Sequence, residues 1–156
     1  MKNEMEQMRA ALQRIDAWFA KHRPRFAKGL HPAAAEADLK GLPEPLHTLL
    51  AWHNGQNDDF VGCFEEHWFL MSAAEIRAAD VGIAGWFPWL DDDGGNYLCL
   101  DTTQTPAPVR MCGLDEPEGE VVAPSLTSWL VAFADNLEAG HYVEDPERGT
   151  LMRRRM

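Results

Sequence analysis

The chain has 156 residues, 46% of them hydrophobic, which suits one globular domain and leaves too little length for two. Its formal net charge of −11 disfavours direct binding to nucleic acid or to anionic membranes, because both carry negative charge. The sequence contains no run of about 18 apolar residues and no signal-peptide pattern, so we expect a cytoplasmic protein without a membrane span.

The charge is distributed unevenly along the chain. Residues 1–28 carry seven basic and three acidic side chains, whereas residues 29–147 carry three basic and 22 acidic ones, for net charges of +4 and −19. Such an acidic surface would steer a basic protein toward itself. The alternative is that the charge only keeps the protein soluble, and composition leaves both interpretations open.

The three cysteines, Cys63, Cys99 and Cys112, are odd in number and widely spaced. Two of them fall in apolar, strand-like segments. This arrangement predicts buried free thiols rather than disulfides or a zinc site.

The first predicted element is an amphipathic helix that ends before Pro24. Its apolar residues recur every three or four positions, and its basic residues are expected on the solvent face. The apolar positions are Met5, Met8, Leu12, Ile15 and Phe19. Residues 28–40 are rich in alanine with a glycine and a proline, which predicts a loop that can contain a short helix.

A second helix is predicted to begin near Leu42-Pro43-Glu44, since proline and glutamate favour a first helical turn, and to end at Asn54-Gly55. Residues 60–70 alternate only partly and predict one or two strands. Ser72 and Glu75 have the spacing of a capping box, which predicts a short helix through Ala79.

The centre of the sequence predicts a β-hairpin. Two apolar runs, Trp86 to Leu90 and Tyr97 to Leu100, flank a turn of three aspartates, two glycines and an asparagine at residues 91–96. The second run is apolar throughout and predicts a central strand that is buried on both faces. Pro88 cannot donate a ladder hydrogen bond, so the first run is expected at a sheet edge or a bulge.

After the hairpin, residues 109–112 and 120–123 predict two further strands around an acidic turn at residues 115–119. Pro124-Ser125 then begins a helix that stops at Gly140 and carries Trp129 and Phe133 on its apolar stripe. Five side chains of the hairpin are expected to pack under this helix. They are Trp86, Trp89, Tyr97, Leu98 and Leu100.

Helices therefore flank strands that are joined by short turns, which predicts an α+β fold with a mainly antiparallel sheet packed against the helices. We expect one domain overall, with an N-terminal helix and loop over residues 1–40, an α+β core over residues 41–140 and a C-terminal tail over residues 141–156. The part of the tail after Asp145 shows no apolar period and is expected to be mobile.

Several short motifs succeed one another in a characteristic order. They are Leu42-Pro-Glu-x-Leu, Trp52-His-Asn-Gly, Trp68-Phe-Leu-Met-Ser-x-x-Glu-Ile, Trp86-x-Pro-Trp, Asp92-Asp-Gly-Gly-Asn-Tyr-x-x-Leu-Asp and Ala123-Pro-Ser-Leu-x-x-Trp-Leu. Over about residues 40–140 the chain thus resembles the SUKH superfamily, specifically its Smi/Knr type. The resemblance implies a single α+β domain without catalytic residues. It also implies an immunity protein that neutralises polymorphic toxins, often nucleases, in bacteria, or a cell-wall regulator in fungi.

The three aspartates at residues 91–93 distantly resemble a calcium-binding loop, but the twelfth position, a glutamate in such loops, is Thr102 here. Adjacent aspartates in a turn are typically solvated and do not form an acid–base pair. The sequence also lacks a GxSxG elbow and a glycine-rich phosphate loop. We therefore predict no catalytic residue, no metal and no cofactor.

The sequence and the resemblance together predict a non-enzymatic immunity protein that binds a basic toxin domain, with a nuclease as one candidate, through its acidic surface. The oligomeric state stays open. The alternatives are a small metal-dependent hydrolase that uses the 91–93 loop and a cell-wall or regulatory scaffold. The candidate partner-binding residues form two clusters, one with Asp58, Asp59, Glu65 and Glu66 and the other with Asp91, Asp92 and Asp93.

Overall fold

The computed structural model describes residues 3–57, 62–113, 119–145 and 147–154, and the predicted acidic turn at residues 115–119 lies largely outside them. The helices are α1 (Glu4–His22), α2 (Pro24–Lys28), α3 (Glu44–Trp52), α4 (Ala73–Ala78) and α5 (Leu126–Glu138), with a 3-10 helix at Glu36–Leu39. The strands are β1 (Phe69–Leu70), β2 (Trp86–Asp91), β3 (Tyr97–Asp101), β4 (Val109–Cys112), β5 (Val121–Ala123), β6 (Tyr142–Asp145) and β7 (Thr150–Arg153).

Helix α1 forms where the sequence predicts it and ends before Pro24. Asn3 caps the helix, because its side chain accepts a hydrogen bond from the Glu6 amide at 2.8 Å. The apolar stripe of α1 is buried from Met8 to Phe19, with Met5 half-buried, and α1 packs against α5, with the rings of Phe19 and Phe133 6.2 Å apart. Helix α1 therefore belongs to the same hydrophobic core as the rest of the chain.

The connection after α3 differs from the prediction. His53 follows the helix in an extended conformation, so α3 does not end in a left-handed cap at Asn54-Gly55. Gly55 has a φ of 78°, and a Cβ there would lie 2.6 Å from the amide nitrogen of Ser72. Asn54 accepts a hydrogen bond from the Ala73 amide at 2.8 Å. The pair thus holds the end of α3 against the start of α4 instead of capping α3.

Two predicted helix starts are confirmed by their hydrogen bonds. The Ser72 side chain accepts from the Glu75 amide while the Glu75 carboxylate accepts from the Ser72 amide, which is the capping box of α4. Ser125 caps α5 by accepting from the Ser128 amide at 3.0 Å. Gly140, with a φ of 80°, follows the end of α5 as predicted.

Strands β1 to β5 form one antiparallel sheet in sequence order, and β6 and β7 form a separate hairpin. The predicted hairpin is β2–β3, with β3 at the centre of the sheet. The register of β2 shifts between Pro88 and Leu90, which is the bulge that Pro88 predicts. The predicted α+β fold with an antiparallel sheet is confirmed.

The hairpin side chains divide between the two faces of the sheet. Trp89 packs edge-on against Trp129 of α5 at 4.9 Å, and Leu98 and Leu100 share that core, as predicted. Trp86 instead lies on the opposite face, so its predicted place under α5 is wrong. Residues three apart in a strand point to opposite faces, which separates Trp86 from Trp89. On its own face Trp86 packs with Cys99 and Cys112, and Tyr97 contacts both clusters.

The three cysteines are free and buried, which confirms the prediction of buried thiols.

The C-terminal segment is not a mobile tail. Strands β6 and β7 pair from Tyr142 opposite Arg153 to Asp145 opposite Thr150. The hairpin is fixed to the domain by Leu151, which is fully buried and exchanges two backbone hydrogen bonds with Glu66. The prediction failed because the two strands are short and leave Tyr142 and Leu151 as their only buried apolar residues within the described chain.

Arg23 corrects the expectation that the basic residues near α1 face solvent. Its guanidinium is buried, forms an ion pair with Glu144 of β6 and donates to the carbonyl oxygen of Cys63 at 2.8 Å. It also lies over the Phe26 ring, 4.1 Å from the centroid. Burial lowers the pKa of Arg23, and Glu144 opposes that effect. Arg23 thus links the N-terminal helices to the C-terminal hairpin.

Candidate functional site

Asp92 organises the turn between β2 and β3. Its carboxylate accepts hydrogen bonds from the Gly94 amide at 2.8 Å, from the Asn96 amide at 3.0 Å and from the Asn96 side chain at 2.8 Å. Partial burial raises the pKa of Asp92, but the bonds from Asn96 and Gly94 outweigh burial and hold the pKa below its ordinary value. Asp92 is therefore charged at neutral pH and committed to the shape of the turn.

Asp91 and Asp93 lie on either side of Asp92. Asp91 is half-buried and accepts a hydrogen bond from the Asp93 amide at 2.9 Å. Burial raises the pKa of Asp91, and repulsion from Glu75 of α4 adds to this, while the Asp93 amide lowers it. Asp93 is exposed and has a φ of 59°, a left-handed conformation that aspartate tolerates. The turn thus presents Asp93 to solvent, with Asp91 and Glu75 close by.

Asp91, Asp92, Asp93 and Glu75 form what we call the acidic turn surface. In the part of the chain that the structure describes, no lysine or arginine forms a salt bridge with any of them. His67 is close enough to favour the charged form of Asp92. The surface therefore offers carboxylates that are available to cations of a partner.

The second predicted cluster has a different environment. Glu65 is only 8% exposed, and its carboxylate accepts a hydrogen bond from the Tyr142 hydroxyl at 2.7 Å. Burial raises the pKa of Glu65 to about 7, although the bond from Tyr142 opposes the shift. Glu66 is half-buried, and Asp58 and Asp59 lie outside the described residues. The buried Glu65 carboxylate is bonded within the protein.

Glu65 therefore does not connect the two predicted clusters into one exposed surface. Glu65 faces Tyr142 of the C-terminal hairpin, whereas Asp91 faces Glu75 of α4. Trp68, which lies beside the first cluster in the sequence, is 4% exposed and belongs to the core. The large apolar side chains that are exposed in the described chain lie on β5 and on the C-terminal hairpin. They are Val121, Val122, Val143 and Met152.

Glu75 is the member of the acidic turn surface that sequence reasoning missed. Its role in the capping box is visible in the sequence, but its proximity to Asp91 depends on the pairing of Phe69 with Asp91 across β1 and β2. No local signal sets that register, since β1 has only two residues.

No group of three or more histidine, cysteine, aspartate or glutamate side chains converges as metal ligands among residues 3–57, 62–113, 119–145 and 147–154. None of the helices within these ranges combines the length and the hydropathy that crossing a lipid bilayer requires.

Comparison with known proteins adds one finding to this geometry. No curated protein sequence matches the chain significantly. The profile of the SMI1 / KNR4 family (SUKH-1) matches residues 32–132, about two thirds of the chain. The matched range begins after α1 and α2, contains the sheet from β1 to β5 together with the acidic turn surface, and ends within α5. The chain belongs to the SMI1 / KNR4 family (SUKH-1).

Proposed function

We propose that this chain is an immunity protein, which binds a basic toxin domain and blocks it without catalysing a reaction. Family membership supports an immunity or a regulatory role. The observation that carries the more specific proposal is the acidic turn surface, where a rigid turn holds carboxylates that have no salt-bridge partner in the described chain.

The physical basis of the proposal is charge complementarity. A toxin that acts on nucleic acid has a basic cleft, and carboxylates can occupy the positions that phosphates take in that cleft. Long-range attraction raises the association rate most when the charges are already oriented. Because Asp92 is held by three hydrogen bonds, the turn loses little conformational freedom on binding.

The other two candidate functions receive less support. A metal-dependent hydrolase at residues 91–93 would need free ligands that converge on a cation, but Asp92 is committed to the turn and Asp91 accepts from the Asp93 amide. A cell-wall or regulatory scaffold agrees with the family but does not depend on the acidic turn surface.

The test removes charge from the acidic turn surface and leaves the turn intact. The variant carries Asp91→Asn, Asp93→Asn and Glu75→Gln, since the amides still accept the bonds that hold the turn and the capping box. A matched control removes the same charge from exposed positions elsewhere, with Glu36→Gln, Asp38→Asn and Glu147→Gln. The partner to be tested is the C-terminal domain of any large secreted protein whose gene lies beside that of this chain.

We expect the turn variant to associate about tenfold more slowly with the toxin domain at low salt and to lose protection of cells. The control should associate at nearly the parental rate, and both variants should keep the parental melting temperature. Equal slowing in both variants would mean that only net charge matters, and unchanged rates in both would place the contact elsewhere. Failure of the parent to bind or protect would overturn the immunity proposal itself.

A further inference from the structure

The strand edges of the fold are closed in different ways. Gln56 covers β1, since its amide donates to the Leu70 carbonyl oxygen at 3.3 Å. At β5 the register shifts so that Val122 is an extra residue opposite β4, and such a bulge discourages further pairing. Leu151 of β7 exchanges two backbone hydrogen bonds with Glu66. The outer edge of β6 is the strand edge that remains in the described part of the chain.

The hydrogen bonds of the C-terminal hairpin set the direction of each backbone group in β6. The Arg154 amide donates to the His141 carbonyl oxygen at 2.6 Å, which extends the β6–β7 register by one pair. Because hydrogen-bonded pairs alternate along an antiparallel ladder, the N–H and C=O groups of Val143 point toward β7, whereas those of Tyr142 and Glu144 point away from it. Neither Tyr142 nor Glu144 forms a backbone hydrogen bond with the other described segments.

The edge of β6 is accessible at Glu144. The Glu144 side chain forms the ion pair with Arg23 and is 33% exposed. The residue as a whole counts as exposed, so its backbone is relatively more exposed than its side chain. Val143 and Met152 lie opposite each other on the outer face of the hairpin and are 44% and 45% exposed. An open strand edge, which is a template for pairing with another strand, thus lies beside an exposed apolar pair.

We propose that β6 pairs with β6 of a second copy of this chain, in antiparallel orientation about a twofold axis at Val143. This inference does not depend on the proposed function. Tyr142 of each copy exchanges two backbone hydrogen bonds with Glu144 of the other copy. The two C-terminal hairpins thereby form one antiparallel sheet of four strands, and the same surface of each copy serves both sides of the contact.

Self-pairing extends the exposed apolar pair of one hairpin. In the proposed register Val143 lies opposite Val143 of the second copy, in a pair that is not hydrogen-bonded and that brings side chains closest together. Met152 neighbours Val143 on the same face of each hairpin. The two valines and two methionines therefore form a continuous apolar stripe across the four strands, which is twice the patch that one copy exposes.

The charges of β6 favour this register over its neighbours. It places Asp145 opposite the second copy's His141, and no like charges lie opposite one another. A shift by two residues in one direction would place Glu144 opposite the second copy's Glu144, which like-charge repulsion disfavours. The shift in the other direction would place Glu144 opposite Gly140, which lies outside β6.

Analytical ultracentrifugation of the full chain tests the self-pairing. The measurements extend to about 1 mM protein, since a small interface binds weakly. We expect the average mass to rise with concentration from that of one chain toward that of two. A mass of one chain at every concentration would overturn the inference.

Two variants test the twofold axis, because Val143→Lys and Val143→Glu each place like charges directly opposite one another in the dimer. Val143 is exposed, so both variants should stay folded by circular dichroism. Each alone should remain monomeric, whereas an equimolar mixture of the two should form a heterodimer. Val121→Lys, on the bulged edge of β5, is the matched control and should dimerise like the parent. Dimers of Val143→Lys alone, or a mixture that stays monomeric, would contradict the proposal.

Hydrogen exchange identifies the strand edge that pairs. In the ¹⁵N-labelled chain the amides of Tyr142 and Glu144 should exchange more slowly as concentration rises, whereas the Val143 amide, which points into the hairpin, should not change. Slower exchange at Val121 and Val122 instead would place the contact at β5. Protection of Tyr142 and Glu144 that appears only when the toxin domain is added would assign the edge to that partner. Either of these two results would overturn self-pairing through β6.

Discussion

Glu65 and Asp93 each lie in a run of adjacent acidic residues, but the fold places them in opposite environments. Glu65 is almost completely buried, bonded to Tyr142 and covered by the C-terminal hairpin. Asp93 is exposed, because a left-handed backbone conformation places it at the tip of the β2–β3 turn. A run of acidic residues in a sequence therefore does not define a binding surface until the elements that cover it are known.

The difference arises from the elements that pack against each segment. Glu66 pairs through its backbone with Leu151 of β7, which brings Tyr142 of β6 over the neighbouring Glu65. The turn at residues 91–96 is instead held by its own Asp92, and no described lysine or arginine forms a salt bridge with it. The Glu65 side chain is thus bonded inside the fold, whereas the Asp93 side chain is exposed to solvent.

The largest expected effect comes from uncovering Glu65. Tyr142→Ala removes a ring that packs edge-on against Phe133 at 5.3 Å and leaves the Glu65 carboxylate without its donor. We expect the free energy of unfolding to fall by about 3–5 kcal/mol, as for other buried aromatic truncations. Urea denaturation measures this change, and Asp93→Asn serves as the exposed control. A loss below about 1 kcal/mol would show that the hairpin contributes little to the core.

A second prediction uses the pH dependence of Glu65. Its pKa is about 7 in the folded protein and about 4.3 in the unfolded chain. Its contribution to stability is therefore fully present below about pH 4.3 and is lost as pH rises through about 7, because the unfolded chain releases the proton first. Glu65→Gln still accepts the bond from Tyr142 and does not titrate.

The free energy of unfolding of the parent should fall relative to that of Glu65→Gln as the pH rises. The difference between the two proteins should increase by about 2 kcal/mol from about pH 5.5 to pH 8. Urea denaturation of both proteins at the two pH values measures this difference. Glu36→Gln, which changes an exposed carboxylate elsewhere in the chain, is the matched control and should follow the parent at both pH values. Parallel stability curves for Glu65→Gln and the parent would mean that Glu65 is solvated in the folded protein.

The sequence predicted the elements whose signals are local. The turn glycines and flanking apolar runs identified β2 and β3, and the Ser72 and Ser125 caps marked the starts of α4 and α5. The 3.6-residue period of α1 and α5 also predicted their buried faces. These features depend on residues within one or two turns of one another.

The features that the sequence did not reveal depend on contacts between distant segments. Tyr142 and Glu65 are 77 positions apart, and Arg23 and Glu144 are 121 apart. No period or motif links such residues, so Glu65 was expected at the surface and Arg23 in solvent. Trp86 is a different case, because strict alternation along a strand would have separated it from Trp89. The bulge after Pro88 then lets both Trp89 and Leu90 reach the main core.

A third prediction concerns the residue that gives the exposed turn its shape. Asp92→Ala removes the acceptor of three hydrogen bonds from Gly94 and Asn96. Because Asp92 is only half-buried, we expect a loss of about 1–2 kcal/mol in the free energy of unfolding, less than for Tyr142→Ala. Association with the toxin domain should also slow, since the remaining carboxylates lose their fixed orientation. Thermal melts and binding kinetics check the two effects, and parental values in both would mean that the turn keeps its shape without Asp92.

The smallest expected effect on stability, and the sharpest contrast with Glu65, comes from Asp93→Asn. Asparagine tolerates the left-handed conformation that Asp93 adopts at a φ of 59°, so the backbone should not change. The side chain is exposed, and the free energy of unfolding should stay within about 0.5 kcal/mol of the parent at every pH. The association rate with a basic partner should nevertheless decrease at low salt and return to the parental value at high salt, since salt screens exposed charges.

Glu65→Gln should give the opposite result, with altered stability above about pH 7 and a parental association rate. Stopped-flow kinetics of the two variants at two salt concentrations measures both rates. If Glu65→Gln slowed association while Asp93→Asn did not, the partner would contact the region of the C-terminal hairpin instead of the β2–β3 turn.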